Sequence, residues 1–331
     1  MAVLGIAHGF LSLEIFMKKN PLIIKNAVLN MGGTIEEFIP ERGCFYINVL
    51  GKCILLERKI SITRQSFVSG QLTRCKDITN ELLRINGLPT PETRCFYKKS
   101  YLAADVEKKL AELHFPIILK DAQGSNSRGI FPLIGNIKDA MIVLEEELPH
   151  YRSMIAQEMV FGKEYRILIL DEKVIGALEM IPPYAVGDGV STIRNIIEKK
   201  QSSTEKRTEF DEKLEQILQE QNFTLESIMS KNEIAYIKKS SCLAEGGETR
   251  DVTDSVHSDI EKTCVAASKV VGKYLVGIDV MCEDISLDPK KQTFNIIEIN
   301  GKPDLYIHYN PSHGQTRNVV EDIVKFMVKV S

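Results

Sequence analysis

Residues 294–300 read FNIIEIN, and residues 274–281 read YLVGIDVM. Both runs are apolar and β-branched, which predicts two buried strands. Side chains alternate along a strand, so Glu298 and Asn300 share one face while Ile297 and Ile299 share the other. Asp279 is likewise a single acid set in an apolar strand. An Asp, a Glu and an Asn together offer hard oxygen ligands, the set that suits Mg²⁺ holding substrate phosphates. Each alone reads as a strand-end residue meeting solvent; three together point to a site.

Further back, PIILKDAQGSNSRGI (116–130) carries a buried strand that delivers Lys120 into a polar turn bounded by Gly124 and Gly129. Backbone N–H groups in such a turn can fold over phosphates, with Lys120 as a point charge. The same stretch also fits a surface hairpin rich in turn residues. In SMIAQEMVFGKEYRILIL (153–170) a strand runs to Val160, turns at Gly162 and resumes with Glu164 and Arg166 on one face. Backbone groups at such a crossover can read a purine edge, and Glu164 can accept from ribose hydroxyls. An exposed Glu/Arg pair is the plainer alternative.

Around these segments helices and strands alternate. Helices are expected over 76–86, stopped by Gly87 with Pro89 and Pro91 beyond, and over 106–114 and 137–148. A further helix is expected over 205–221, where Phe210, Leu214, Ile217 and Leu218 recur at helical spacing. Ser258-Asp-Ile-Glu261 has the form of a capping box opening a helix that Gly272 closes, and a last helix runs from Asn318. Residues 44–60 read as a hairpin about Gly51-Lys52. The class is α/β (α+β) with much antiparallel sheet. A first boundary falls near residue 75, and the short piece before it is expected to lean on the rest for its core.

Composition excludes several alternatives. The 42 basic and 45 acidic residues give a net charge of −3, without the basic excess of a protein that coats a nucleic acid. No run of 18 apolar residues occurs, and the start, MAVLGIAHGF, lacks the basic flank of a signal peptide. Seven cysteines at irregular spacing, with no CxxC pair, fit neither a disulfide framework nor a structural zinc site. A reduced cytoplasmic protein, with no nucleic-acid or membrane partner, is expected. There is no Walker A loop, no complete dinucleotide fingerprint and no GxSxG elbow.

The order of these features (lysine strand, glycine loop, acidic hinge, strand Asp, then Glu-x-Asn) resembles the plan of the ATP-grasp fold. IPPYAVGDGVSTIRNII (181–197), the segment 214–257 with its GGETRDVTDSVH end, VGIDVMCEDI (276–285) and IIEINGKPDLYIHYNPSHGQTRNVVEDIV (296–324) are similar to the ATP-grasp region of cyanophycin synthetases. They also resemble the glutathione-synthetase half of bifunctional glutathione-forming enzymes. The likeness covers about residues 75–331.

The resemblance implies two α+β subdomains gripping ATP, preceded by a small N-terminal domain. Residues 1–75 would be that domain and 76–331 the ATP-grasp domain. Within the latter, about 96–160 would form the smaller lid and 161–331 the metal- and substrate-binding part. Lys76 and Lys120 would be the nucleotide lysines. Gly124, Ser125, Asn126, Arg128 and Gly129 would belong to the phosphate-covering loop. Gln157, Glu158 and Val160 would face the purine, and Glu164 the ribose. Arg166 and Lys238 would act on the phosphates and the developing acyl phosphate. Asp279, Glu298 and Asn300 would hold two Mg²⁺ ions, with Mn²⁺ able to substitute. Gly247 and His308 would lie at the substrate end.

Some positions depart from the family pattern. Lys238 stands for an Arg, which keeps charge but loses the bidentate fork. Cys242 stands for an Asn, Asp304 for a Gly, and Glu179-Met180 for an Arg-Arg pair. By strand alternation only one of Glu179 and Met180 can enter the cleft. The resemblance implies an ADP-forming carboxylate–amine ligase acting on amino acids or peptides, with a homodimer left open. A tailoring enzyme for a ribosomal precursor peptide, or a nucleotide-binding protein without catalysis, are the alternatives.

Overall fold

The structure is a computed structural model that describes residues 19–39, 44–57, 60–62, 66–100, 102–124, 129–202 and 208–331. At the N-terminal end, α1 (Lys19–Asn30) precedes β1 (Thr34–Ile39), β2 (Cys44–Val49) and β3 (Lys52–Glu57), an antiparallel sheet in that order. The expected hairpin is present, but Leu50 and Gly51 turn it, with φ of 50° and 76°. Two positive φ values in a two-residue loop match the right-handed twist of the flanking strands. Among its described residues this unit shares its core with the rest of the chain. Ile24, Val28, Phe45 and Ile47 share one apolar cluster with Leu168, Leu170, Leu275, Val320 and Val324 from the far end of the chain.

Next come α2 (Ser66–Leu72) and α3 (Lys76–Ile85). A four-stranded sheet follows, built from β4 (Thr93–Tyr97), β5 (Ile117–Asp121), β6 (Ile130–Ile134) and β7 (Ser153–Glu158) in the order β4-β7-β5-β6. It is packed by α4 (Ala103–Leu110) and α5 (Ile137–Glu147) around Val106, Leu110, Leu119, Leu144 and Met154. The helix expected over 106–114 starts and stops earlier, at Ala103 and Leu110.

The largest sheet takes the order β12-β9-β8-β13-β14, antiparallel throughout. Its strands are β8 (Lys163–Leu170), β9 (Lys173–Ile181), β12 (Glu248–Asp251), β13 (Leu275–Cys282) and β14 (Phe294–Asn300). Between β9 and β12 the chain makes a small unit of β10 (Tyr184–Val186), α6 (Ile193–Ser202), α7 (Glu212–Glu220) and β11 (Ile234–Tyr236) with its own core. The helix expected over 205–221 is shorter. Asp211 accepts a hydrogen bond from Leu214 N at 2.9 Å and caps α7, leaving Phe210 outside it under the Arg194 guanidinium. Residues 203–207 lie outside the described residues.

The helix before β13, α8 (Ser258–Val270), is also capped differently from expectation. His257 is its N-cap, its Nδ1 accepting from Asp259 N at 3.2 Å, so Ser258 lies inside the helix and no capping box forms. Gly272 closes it in left-handed backbone, as expected. Two more helices, α9 (Tyr306–Tyr309) and α10 (Val319–Val330), end the chain. The large sheet thus has two covered faces. α8 packs on Tyr165, Ile167, Ala177 and Ile278. On the opposite face, α10 and the N-terminal unit cover Leu168, Leu170 and Leu275. The remainder of that second face, toward the four-stranded sheet, carries the polar residues.

Candidate active site

In antiparallel sheets, residues paired across strands share a face. Asp279 on β13 pairs with Arg166 on β8 and with Glu298 on β14, and Asn300 pairs with Gly277 two positions away. The strands therefore set Arg166, Asp279, Glu298 and Asn300 side by side. Arg166 grips Asp279 with both Nε and Nη2, the latter at 2.8 Å, and Asn300 Nδ2 donates to Asp279 Oδ2 at 3.0 Å. Close packing explains why Gly277 is a glycine. A side chain there would press on Pro303 and Arg166 at 3.1 and 3.2 Å.

Two lysines reach the same place from other elements. Lys76 opens α3, and its Nζ donates to Gly124 O at 2.5 Å and lies 3.3 Å from Glu298 Oε1. Lys120 on β5 is buried and donates to Gln157 Oε1 at 2.8 Å, while Gln157 Nε2 donates to Thr93 Oγ1 at 3.0 Å. Burial lowers the pKa of Lys120 to about 8, although Glu298 pulls it upward. Burial likewise opposes the charge on Arg166, but the Asp279 carboxylate outweighs it and the guanidinium is held above its usual range. For Asp279 burial dominates, and its pKa moves upward against the pull of Arg166.

The purine candidates lie at the end of β7. Glu158 accepts from His114 through both its backbone N–H (2.7 Å) and Nδ1 (2.8 Å), so its carboxylate points outward. Among the described residues nothing hydrogen-bonds to the Val160 backbone, whose N–H and C=O are free for a ligand. Gly124 and Gly129 flank the loop candidates, with Gly129 at φ 65° tucked against Tyr151. Ser125, Asn126 and Arg128 lie outside the described residues. Glu164, two residues before Arg166 on the same face, accepts from Ser241 Oγ.

Other expected residues stand apart from this cluster. Lys238 pairs with Glu245 at 3.4 Å. Gly247 packs on the Ser241 carbonyl so closely that a Cβ would collide with it. His308, on α9, is fully buried over Gly176, and neither ring nitrogen has a partner. Burial first, and Arg166 second, depress its pKa to about 3, so it is neutral.

One clasp was not expected. Arg317 forks onto Asp251 and Asp254, with Nη2 at 2.6 and 2.7 Å, and its backbone N–H donates to His308 O at 3.0 Å. It ties the segment after α9 to β12 and so seats His308. The DVTD run contains both acids, but no local signal pairs them with an arginine more than sixty positions away.

Register also settles which of Glu179 and Met180 shares the face of Arg166. Met180 pairs with Glu164 and lies on the polar face beside Leu178 and Ile307. Glu179 lies on the other face, where Arg250 donates to it at 3.0 Å.

The cluster suits a divalent cation only as an open site. Among the described residues no three or more of His, Cys, Asp and Glu form a closed cluster. Two carboxylates and an amide are a set that leaves positions for phosphate oxygens. Arg166 supplies the positive charge that buried Asp279 requires.

No family model matches the chain. It is 27% identical over 278 residues to the cyanophycin synthetase of Trichormus variabilis, covering 81% of this chain and 30% of that protein. It is also 27% identical over 278 residues to the glutathione biosynthesis bifunctional protein of Clostridium perfringens, covering 80% of this chain and 35% of that one. The chain spans about a third of the length of these curated relatives. A crystal structure of a bifunctional glutathione synthetase from Pasteurella multocida superposes with a TM-score of 0.67 at 20% identity, covering 93% of this chain and 43% of that one. The fold is therefore ATP-grasp. Among the described residues no helix is long and apolar enough to cross a membrane.

Proposed function

We propose that this chain is an ATP-dependent, ADP-forming carboxylate–amine ligase that joins amino acids or peptides through an acyl phosphate. One observation carries the reading: three cations, Lys76, Lys120 and Arg166, converge with Asp279, Glu298 and Asn300 in one cleft. Such a set suits phosphoryl transfer, where positioning and charge neutralisation do most of the catalytic work. The relatives' names, a cyanophycin synthetase and a glutathione biosynthesis protein, support it.

In this reading Lys76 and Lys120 hold the nucleotide phosphates, Gly124 to Gly129 cover them, and Val160 offers backbone groups to the purine. Gln157 orients Lys120, and Glu164 is placed for the ribose. Asp279, Glu298 and Asn300 hold Mg²⁺ (two ions, with Mn²⁺ able to substitute), which neutralises the transferring phosphoryl group when bound. Arg166, held by Asp279, faces the phosphates and the developing acyl phosphate. Lys238 reaches the acyl phosphate only by leaving Glu245. Gly247 and His308 lie toward the substrate, and the cleft must exclude water from the acyl phosphate. Residues 1–75 form the N-terminal unit, about 96–160 the lid, and 161–331 the metal- and substrate-binding part. The setting we infer is cytoplasmic.

Hydroxylamine supplied with ATP and a panel of carboxylates tests this directly. An acyl phosphate is trapped as a hydroxamate, with ADP released and no natural amine needed. Release of AMP and pyrophosphate instead would overturn the mechanism in favour of adenylation.

A further inference from the structure

Lys273 is a buried lysine with no part in the chemistry above. It is 1% exposed, and no carboxylate among the described residues offsets its charge. Its Nζ donates to Ser61 Oγ at 2.8 Å and to Gly301 O at 3.2 Å. Burial lowers its pKa to about 8. Burying an ammonium without a counter-charge is costly, and an apolar side chain would fill the space without that cost.

Its two partners suggest what offsets the cost. Ser61 belongs to segment 60–62, between the N-terminal sheet and α2. The next residue, Ile62, accepts through its carbonyl from Tyr274 N (3.0 Å) and Leu275 N (3.3 Å), where β13 begins. Gly301 directly follows Asn300, the last residue of β14. The residues around α2 close over the same spot. A side chain at Gly301 would collide with Thr73 Oγ1, and one at Gly272 with Ser69 Oγ. Three residues past Thr73, Lys76 reaches Glu298.

We propose that Lys273 is a positioning residue that ties segment 60–62 to the Gly301 carbonyl and thereby fixes the Asn300 end of β14. The N-terminal unit then takes part in setting the affinity for the divalent cation, through Ser61 and Lys273. This rests on the ligase reading only in taking Asp279, Glu298 and Asn300 as the cation's ligands. A residue that acts on a ligand through a neighbouring carbonyl governs metal affinity much as outer-sphere partners do.

The test is a calorimetric titration of Mn²⁺ into the full chain with saturating ATP, beside thermal melts, for the wild type, Lys273→Met, Lys273→Arg and Ser61→Ala. Lys273→Met is expected to weaken Mn²⁺ binding at least ~10-fold, the scale on which outer-sphere partners act. Ser61→Ala should shift it in the same direction by less, and Lys273→Arg should recover part of the loss. Should Lys273→Met fail to fold, Ser61→Ala decides alone. Unchanged Mn²⁺ affinity in the folded variants, whatever their melting temperatures, would overturn the proposal. A wild type that binds Mn²⁺ and ATP yet releases no ADP with any carboxylate would defeat the ligase reading and leave this titration decisive. A wild type that binds no Mn²⁺ would overturn both.

Discussion

The ammonium of Lys120 donates to Oε1 of Gln157 at 2.8 Å in the buried interior of the four-stranded sheet. A neutral amide is thus the nearest partner of a lysine whose pKa burial has brought down to about 8. The folded value lies below the ordinary 10.5, so between about 8 and 10.5 the unfolded chain binds more protons and this group makes stability rise with pH. In the proposed reading Lys120 holds a nucleotide phosphate, which needs the charged form. The KM for ATP should therefore be flat below about pH 8 and rise above it. Gln157→Glu places a carboxylate beside the ammonium and should move the break to higher pH. A profile identical in wild type and variant would exclude Lys120 as its source.

Asp279 and Glu298 face each other across β13 and β14 but differ in setting: Asp279 is buried against Arg166, whereas the Glu298 side chain is 35% exposed. Asp279→Asn and Glu298→Gln should each lower turnover at least ~10²-fold, the scale of several kcal/mol of lost charge stabilisation. Melting should separate them. Asp279→Asn leaves Arg166 buried without its counter-charge and should cost on the order of 3 kcal/mol of stability. Glu298→Gln should melt close to wild type. Near-normal turnover in both variants would remove the cation from these positions.

Met180 lies on the cleft face next to Glu164, and Glu179 lies behind the sheet with Arg250. In the proposed reading this face lies toward the substrate, and it is apolar or acidic here, so neutral or cationic substrates should be preferred over those with a second carboxylate. Met180→Arg should raise kcat/KM for an acidic analogue relative to a neutral one, and Glu179→Arg should not. Equal effects of the two substitutions would contradict the placement.

Burial raises the pKa of Glu248, but hydrogen bonds from His313 (2.9 Å), Tyr184 (2.7 Å) and Lys200 (3.0 Å) outweigh it and hold it down at about 2. A depressed carboxyl stabilises the fold above its ordinary value of 4.5, and that stability is lost as pH falls toward about 2. Glu248→Gln should therefore melt below wild type at neutral pH, with the gap closing through that window. A gap independent of pH would point to packing instead of charge.

Much of the fold could be read from local sequence. The strand FNIIEIN runs over the residues expected, and β5, α3 and α5 match to within a residue or two. Alternation and helical spacing follow from covalent geometry, which every residue carries with it. The same rule put Glu298 and Asn300 on one face before any partner was known, but a register shift in β14 sets Ile296, and not Ile297, in the core with Ile299. Local patterns misled where a cap had competitors: His257 took the role expected of Ser258, and Asp211 started α7 after Phe210.

Pairing between distant elements was not legible. Alternation allowed Glu179 or Met180 into the cleft, and only the register of β9 against β8 chose Met180. Nothing near Lys238 indicates that Glu245 holds it, and nothing near Asp251 points to Arg317. Lys273 looks like an ordinary residue after a helix until Ser61 and Gly301 close on it from segments that lie 212 and 28 positions away. Sequence by itself determined the periodicity of the elements and the chemical types they carry. Tertiary structure alone decided which charges meet and which are buried, because desolvation and ion pairing depend on neighbours in space, and chain order does not specify those neighbours.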